Sequence, residues 1–174
     1  PGLQRLGLPL PLGGTTLFFR RAALEELGRW DAHNVTEDAD LGIRLARHGY
    51  RTEVIPTVTE EEANCRPVPW IRQRSRWLKG YAITWAVHMR DPGLLRRQIG
   101  LWPFLGMQAM FLGALSQALL APVLLSLWAI CVGLGHPLAG ALTPGMLHTL
   151  GWLFAAAETV NIAAALLAIG TRRR

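Results

Sequence analysis

The second half of this sequence has almost no charged side chains. Between Gln98 and Thr171 only Glu158 is charged, although 17% of the 174 residues are Asp, Glu, Lys or Arg. A soluble domain keeps charged residues over its whole surface, so an uncharged stretch of this length indicates a membrane region. The 51% hydrophobic composition also excludes an intrinsically disordered chain.

Cysteine is scarce, and the usual hydrolase motifs are missing. The 2 cysteines, Cys65 and Cys131, are too few for a disulfide scaffold and too far apart for the usual zinc-binding spacings. No Gly-x-Ser-x-Gly turn surrounds Ser75, so a Ser–His–Asp hydrolase is not indicated. We expect the histidines of the first half to lie at the surface or in loops: His33, His48 and His88.

The uncharged region contains two segments long enough to cross a bilayer, which takes about 20 apolar residues. The first is 107–134, with a proline kink near Pro122, and the second is 146–170. Residues 98–106 are expected at the membrane interface. The Gly- and Pro-rich residues 135–145 predict a turn between the spans.

The basic residues predict how the chain is oriented in the membrane. Residues 172–174 are all Arg and directly follow the second span, and 15 of the 18 basic residues precede residue 98. Lys and Arg near span ends mark the cytoplasmic side, so both ends are expected in the cytoplasm. Glu158 shares a helix face with Asn161 in the second span. We favour a packing contact for it, and a functional role stays open.

Residues 1–97 predict an α/β domain, because β-branched and aromatic segments alternate with helical ones. The expected strands are 15–20 and 51–56, and the expected helices are 21–27, 37–48 and 70–89. The sequence starts without an initiator methionine or a signal peptide. We therefore expect it to be the C-terminal part of a longer protein.

An acidic motif, Thr36-Glu37-Asp38, opens the helix expected at 37–48. A purely structural explanation is available, because Thr is a common N-cap and acids in a first turn complement the helix dipole. Taken alone, this motif is weak evidence for catalysis.

A second motif lies on the amphipathic helix expected at 70–89, where Gln73, Arg76 and Trp77 share one face. An amide, a guanidinium and an indole ring together suit a sugar that carries a phosphate. The ordinary alternative is a belt of Trp and Arg at the membrane surface.

The order of these motifs resembles the processive family 2 glycosyltransferases, which include synthases of cellulose, hyaluronan and bacterial exopolysaccharides. The acidic motif is followed by a Q-x-x-R-W signature at residues 73–77 and then by membrane spans. The Gly13-Gly14-Thr15 and Phe19-Arg20-Arg21 segments also resemble the stretch that precedes the acidic motif in that family. The resemblance covers residues 13–97 well, whereas the spans match only in kind.

The resemblance implies that residues 1–97 are the C-terminal half of a GT-A, Rossmann-like domain on the cytoplasmic face of a bacterial inner membrane. Residues 98–174 would form the membrane region. The implied enzyme is an inverting hexosyltransferase that moves a sugar from a nucleotide-sugar, here a UDP-sugar, to a growing polysaccharide. It would also aid export of the polymer across the bilayer, with export partner subunits.

The resemblance also assigns roles to individual residues. Asp38 would be the general base, Glu37 and Thr36 would shape its surroundings, and Gly14 would adjoin the substrate. Trp77 would stack on the acceptor sugar. Gln73 and Arg76 would contact the diphosphate or the acceptor.

The chain departs from the family pattern at two points. It lacks the upstream D-x-D that would hold a divalent cation, Mg or Mn, so we expect no metal ligands here and an inactive fragment. Residues 136–145 contain no F-x-V-T-x-K, the gating motif of cellulose synthases, which argues against cellulose as the product.

Three other functions are weighed against this one. The mixture of Arg and Trp at 66–79 would suit nucleic acid, but the spans that follow argue against it, and no nucleic-acid partner is expected. A non-processive transferase with a lipid acceptor and a non-catalytic membrane partner subunit both stay open.

Overall fold

The computed structural model describes residues 2–55, 57–62, 64–136 and 140–172, and within these residues every regular element is a helix. The chain-order bounds of the helices are α1 (Gly2–Arg5), α2 (Arg21–Glu26), α3 (Glu37–Arg47), α4 (Pro67–His88), α5 (Pro92–Ile99), α6 (Leu101–Ser126), α7 (Trp128–Cys131) and α8 (Pro144–Arg172). The chain divides into two units, Pro1–Ala118 and Leu119–Arg174.

The two predicted strands are not formed in the described part of the chain. Residues 15–20 and 51–55 make no ladder of backbone hydrogen bonds, and position 56 lies outside the described residues. Instead, the two segments line a cavity of about 520 Å³. The hydroxyl of Thr16, which also lines it, lies 2.8 Å from the hydroxyl of Thr59. A strand requires a paired neighbour, and neither segment pairs with the other. The α/β sheet therefore stays a prediction.

Helix α3 is the centre of the first unit. Acidic residues occupy its first turn and Arg44 and Arg47 its last, which complements the helix dipole, and Gly49 follows it with φ of 78°. The predicted helix 37–48 is confirmed to within one residue at its C-terminal end. Unlike a surface helix, α3 is buried on two sides, since Leu41 and Ile43 are both fully inaccessible to solvent.

Two apolar clusters account for this double burial. Leu41 and Leu45 pack with Ala23 and Leu27 at α2. The second cluster lies on the other side of α3 and joins α3, α5 and α6: Ile43, Leu95, Met107 and Phe111. Since burial of a large apolar side chain contributes about 2 kcal/mol, these two clusters supply most of the cohesion of the first unit.

Helix α4 begins three residues before the predicted start at residue 70, because Pro67 and Pro69 fall in its first turn. Backbone N–H groups have no intrahelical partner in that turn, so proline is tolerated there. The C-terminal half of α4 packs on the second cluster through Tyr81, Trp85 and Met89. Its N-terminal half is mostly exposed.

Glycine allows the backbone to approach two helices closely. The carbonyl of Leu10 lies against Gly42 of α3 and would collide with any Cβ at that position. Gly80 of α4 leaves room for the side chain of Thr36, whose atoms would lie as close as 2.5 Å to an added Cβ. The positions of the N-terminal segment and of α4 against α3 therefore depend on these two glycines.

Helices α6 to α8 correct the predicted boundaries of the membrane region. The segment 98–106 is not a separate interfacial stretch, since α6 already begins at Leu101 and Pro103 lies in its first turn. Helix α6 continues through Pro122 and ends at Ser126, one turn later, and the kink near Pro122 stays a prediction. Two segments, Leu101–Ile130 and Pro144–Leu167, are long and apolar enough to cross a membrane.

The second unit is built on the contact of α7 with α8. The rings of Trp128 and Phe154 meet edge to face with their centroids 5.6 Å apart. The predicted turn between the spans includes residues 137–139, which lie outside the described residues, as do residues 173 and 174. The predicted span 146–170 lies within α8.

We expect Gly42→Ala to lower the free energy of unfolding by about 1–3 kcal/mol, because its Cβ would push the Leu10 carbonyl away from α3. Gly113→Ala is the control, since no atom lies within 4 Å of the added Cβ in α6. Thermal unfolding of both variants in detergent, followed by circular dichroism, measures the difference. An unfolding midpoint for Gly42→Ala equal to that of Gly113→Ala would contradict the close approach.

Candidate active site

The acidic motif lies at the start of α3, where its threonine does not cap the helix. Thr36 occupies the N-cap position, but its hydroxyl bonds no backbone N–H of the first turn. The hydroxyl is buried and faces Asn34 Oδ1 at 3.3 Å and Thr84 Oγ1 at 3.4 Å. The purely structural explanation of this residue as an N-cap is therefore wrong, since the side chain points toward α4 instead.

Asp38 is a half-buried carboxylate with little compensation. Burial raises its pKa above the ordinary 3.8, the hydrogen bond from the Ala39 N–H opposes the shift, and the negative charge of Glu37 adds to it. The Ala39 N–H lies 2.8 Å from Asp38 Oδ1. No ion pair to Asp38 occurs within the described residues. A carboxylate held in this way is a stronger base than an ordinary aspartate.

Two side-chain positions border this carboxylate. A Cβ at Gly14 would lie 3.3 Å from Asp38 Oδ2, so the glycine leaves the side of the carboxylate open. Burial raises the pKa of the Tyr81 phenol on α4, and the negative charge of Asp38 raises this pKa further, so the phenol lies within electrostatic range of the carboxylate. The structure thus places Gly14 beside Asp38 and Tyr81 within electrostatic range of it, and the sequence predicted neither proximity.

The Q-x-x-R-W residues lie in the exposed half of α4. Gln73 is half-buried and its Oε1 accepts a hydrogen bond of 3.3 Å from Asn64 Nδ2. Arg76 is exposed, and Trp77 keeps 43% of its surface accessible. The guanidinium of Arg74 lies 4.8 Å from the ring centroid of Trp77 and 5.4 Å from that of Trp70. Arg74 therefore orients the indole that would meet a sugar.

The structure relates the two motifs through one face of α4. At 3.6 residues per turn, Gln73 and Trp77 lie on the same face as Gly80, Thr84 and His88. The last three residues contact α3 or the loop before it. Among the described residues no hydrogen bond or ion pair joins Asp38 to Gln73 or Arg76, so the motifs are neighbours on packed helices rather than bonded partners.

A buried ionic network behind the site was not predicted. Asp40 accepts hydrogen bonds from Arg44 Nε at 2.7 Å and from His88 Nε2 at 3.0 Å. Arg47 Nη1 lies 3.0 Å from His88 Nδ1, and its Nε donates to Gln98 Oε1 at 2.7 Å. The expectation of a surface position holds for His33 and His48 but is wrong for His88, which is 3% exposed.

The sequence signal for His88 was its spacing. It lies four and eight residues after Thr84 and Gly80, on the face that packs against α3. Burial raises the pKa of Asp40, but the hydrogen bond from His88 and the positive charge of Arg44 outweigh burial, so this pKa lies below the ordinary 3.8. Asp40 therefore stays ionised at neutral pH and stabilises the fold above its pKa.

The site does not fit a resident metal ion. In the part of the chain that the structure describes, no group of three His, Cys, Asp or Glu side chains is placed to hold one. Glu37 is exposed and Asp38 only half-buried at the same helix start. Two neighbouring carboxylates without further donors are a poor cation site.

We expect Asp38→Asn to unfold at the same or a higher temperature than the wild type at pH 7. The raised pKa means that the folded protein binds the Asp38 proton more tightly than the unfolded chain, so ionisation costs stability above that pKa. Below the ordinary pKa of 3.8 both forms are neutral, and the difference should vanish. Thermal unfolding from pH 3 to 8 tests this; a lower midpoint for the variant at pH 7 would contradict it.

Known glycosyltransferases resemble this chain over its soluble and membrane parts. A beta-monoglucosyldiacylglycerol synthase of Synechocystis is 32% identical over 123 residues, which is 67% of this chain and 25% of the relative. A UDP-forming cellulose synthase of Dictyostelium discoideum is 27% identical over 143 residues, 74% of this chain and 12% of the relative.

A third relative matches over a shorter length. Cellulose synthase 1 catalytic subunit of Komagataeibacter xylinus is 35% identical over 68 residues, 38% of this chain and 9% of the relative. The chain thus spans a quarter or less of the length of these relatives. No solved structure gives a significant match.

The family assignment rests on a match along most of the chain. The profile described as glycosyl transferase family group 2 matches residues 3–166, which include both motifs, helices α2 to α7 and most of α8. The chain therefore belongs to the glycosyl transferase family group 2.

Proposed function

We propose that the protein carrying this chain transfers a sugar from a nucleotide-sugar, a UDP-sugar, to the end of a growing polysaccharide, with inversion at the anomeric carbon. Family membership supports sugar transfer between a donor and an acceptor. The observation that carries the proposal is Asp38, a half-buried carboxylate of raised pKa beside the open position of Gly14.

Asp38 acts as the general base in this proposal. Its carboxylate accepts the proton of an acceptor hydroxyl while that oxygen bonds to the anomeric carbon of the donor. The bond from the anomeric carbon to the phosphate oxygen breaks, and the nucleoside diphosphate leaves with the bonding electrons. The raised pKa favours proton transfer to Asp38 as the acceptor O–H bond weakens. Thr36 and Glu37 shape the start of α3 around it.

The exposed half of α4 supplies the binding groups. Trp77 offers its accessible ring to the acceptor sugar, and Arg74 holds that ring in place. Arg76 is exposed and can meet the negative charge of the departing diphosphate, and Gln73 can bond sugar hydroxyls. Contact with a substrate outside the protein requires exposed side chains, and Arg76 and Trp77 are exposed while Gln73 is half-buried.

The remaining components of the proposal lie in the membrane and outside the described site. The two apolar segments anchor the catalytic part at the bacterial inner membrane, and the soluble part and the C-terminus lie in the cytoplasm. Together with partner subunits, these segments guide the polymer toward export. A divalent cation, Mg or Mn, would be held by ligands outside the described residues. No step above uses it.

A lipid acceptor is the second candidate function. The match to the Synechocystis protein named a beta-monoglucosyldiacylglycerol synthase covers more of that relative than the cellulose synthase matches cover of theirs. A single transfer to a membrane lipid would use Asp38 in the same way, and the acceptor would reach the site from the bilayer. A non-catalytic partner subunit is the third candidate, and the raised pKa of Asp38 beside the open position of Gly14 argues against it.

We expect Asp38→Asn to reduce sugar transfer by about 100-fold or more, because the amide cannot accept the acceptor proton. The transfer rate is measured by screening radiolabelled nucleotide-sugars with membranes that contain the protein expressed from the complete reading frame. Equilibrium binding of the nucleotide-sugar should be the same in the variant and the wild type. Glu62→Gln, an exposed acid replaced in the same way, is the control. Transfer by Asp38→Asn at more than a tenth of the wild-type rate would rule out the general base.

We expect Trp77→Ala to raise the KM for the acceptor about tenfold, the loss expected for one aromatic contact, and to leave hydrolysis of the donor unchanged. Trp77→Phe should restore part of the affinity, and Trp70→Ala is the control because Trp70 also contacts Arg74. Equal losses in acceptor use and donor hydrolysis would refute stacking. In the same assay, a size-separated product distinguishes a polymer from a glycolipid that carries a single added sugar.

A further inference from the structure

A closed cluster of buried polar side chains lies directly behind the acidic motif. Asn34 Nδ2 donates to Thr84 Oγ1 at 2.8 Å, and Asn34 Oδ1 accepts from the backbone N–H of Thr36 at 3.1 Å. The Thr36 hydroxyl bridges the two, at 3.3 Å from Asn34 Oδ1 and 3.4 Å from Thr84 Oγ1. The three residues are buried, and Thr84 is fully inaccessible. The cluster thus connects α4 with the residue that precedes α3.

One turn earlier on α4, Gly80 lets Thr36 rest on the helix backbone. An added Cβ there would lie 2.5 Å from both Cγ2 and Oγ1 of Thr36 and 2.9 Å from its Cβ. A displacement of α4 by one turn, about 5.4 Å, would place the side chain of Arg76 or Thr84 where Gly80 now lies. The contact therefore allows α4 one register against the start of α3.

Hydrogen bonding selects the same register. Among the described residues no buried side-chain N or O atom lacks a partner. A shifted α4 would separate Thr84 from Asn34 and leave buried polar groups unpaired, which is costly in a low-dielectric interior. Packing at Gly80 and hydrogen bonding at Thr84 thus fix one and the same position of α4.

We propose that Asn34 and Thr84 are positioning residues that act through Thr36 to set the distance between Asp38 on α3 and the Gln73–Trp77 face of α4. The proposal rests on the proposed function, which gives Asp38 and Trp77 their roles. Trp77 lies seven residues, or two turns, before Thr84 on the same face. Since the N-terminal half of α4 is mostly exposed, its position follows from contacts in the C-terminal half.

The consequence for the reaction is a matter of distance. A base and an acceptor-binding ring on separate helices work together only when the helices keep their spacing, and an error of about 1 Å can cost 100-fold in rate. The buried pair of Asp40 and His88 lies one turn beyond Thr84 and also joins the two helices. The helices therefore stay packed when the Thr84 hydroxyl is removed, so a variant at this position changes spacing rather than folding.

The test replaces Thr84 by Val, which keeps the shape and removes the hydroxyl, and by Ser, which keeps the hydroxyl. Both variants are made in the complete reading frame and assayed for sugar transfer in membranes. We expect Thr84→Val to lower kcat at least tenfold with an unchanged KM for the nucleotide-sugar, and Thr84→Ser to restore kcat to within about threefold of the wild type. Ile43→Val, a buried change on α3 that touches neither motif, is the control for lost stability.

A wild-type kcat in Thr84→Val would overturn the proposal, as would an equal loss of kcat in an Ile43→Val protein with a similar unfolding midpoint. A second readout does not depend on catalysis. Hydrogen exchange at the backbone N–H of Thr36, which bonds Asn34, should accelerate at least tenfold in Thr84→Val and stay unchanged in Ile43→Val. Unchanged hydrogen exchange at the Thr36 N–H in Thr84→Val would refute the positioning role of Asn34 and Thr84.

The two readouts separate the possible failures. If the wild-type protein transfers no sugar while hydrogen exchange at Thr36 is faster in Thr84→Val, the proposed function is wrong, and the contact of Asn34 and Thr36 with Thr84 still fixes α4 against α3. If the wild type transfers sugar and neither kcat nor exchange responds, the function stands and the positioning role is wrong.

Discussion

The structure around the site depends on one buried charge. Asp40 is 4% exposed, and a carboxylate at that depth is tolerated only with ionic or hydrogen-bonding partners. Arg44 provides one partner within α3, while His88 provides the other from α4 and is itself bonded to Arg47. The His88 ring thus lies between the two charged side chains, with Nε2 3.0 Å from Asp40 Oδ1 and Nδ1 3.0 Å from Arg47 Nη1. The need to satisfy Asp40 therefore holds α4 against α3.

Because of this constraint, the two halves of α4 differ: one is packed against the rest of the first unit and the other is mostly exposed. From Gly80 to its end the helix is fixed by α3, by the cluster that contains Phe111, and by the buried hydroxyl of Thr84. Before Gly80 it carries exposed polar and aromatic side chains and little packing. Under the proposed function, the groups on this half would meet a sugar and a diphosphate, so they need to reach solvent and also need a defined direction. A rigid helix that is anchored at one end provides both.

The sequence predicted α2, α3 and α4 well because their signals are local, whereas it did not predict α5. The acids at the start of α3, Gly49 after it and the prolines at the start of α4 act within a turn of where they lie, and the boundaries follow within three residues. The strands at 15–20 and 51–55 were not confirmed, since a strand depends on a partner that a local pattern does not contain. For the same reason His88 was misplaced: its burial depends on Asp40, 48 residues earlier. The proximity of Gly14 to Asp38 was likewise not predicted, and the separate roles given to these two residues came from the resemblance to a family.

Asp38 and Asp40 show how neighbouring carboxylates on one helix turn acquire different chemistry. Both are desolvated, and desolvation alone raises both pKa values. At Asp40 the hydrogen bond from His88 and the charge of Arg44 reverse the shift, so the carboxylate is ionised at neutral pH and both of its oxygens have a partner. At Asp38 the backbone N–H of Ala39 does not reverse it, and the charge of Glu37 adds to it. Environments that separate two pKa values in this way suit different roles: Asp40, with its two side-chain partners, supports the fold, and Asp38 is the acid that takes the proton in the proposed function.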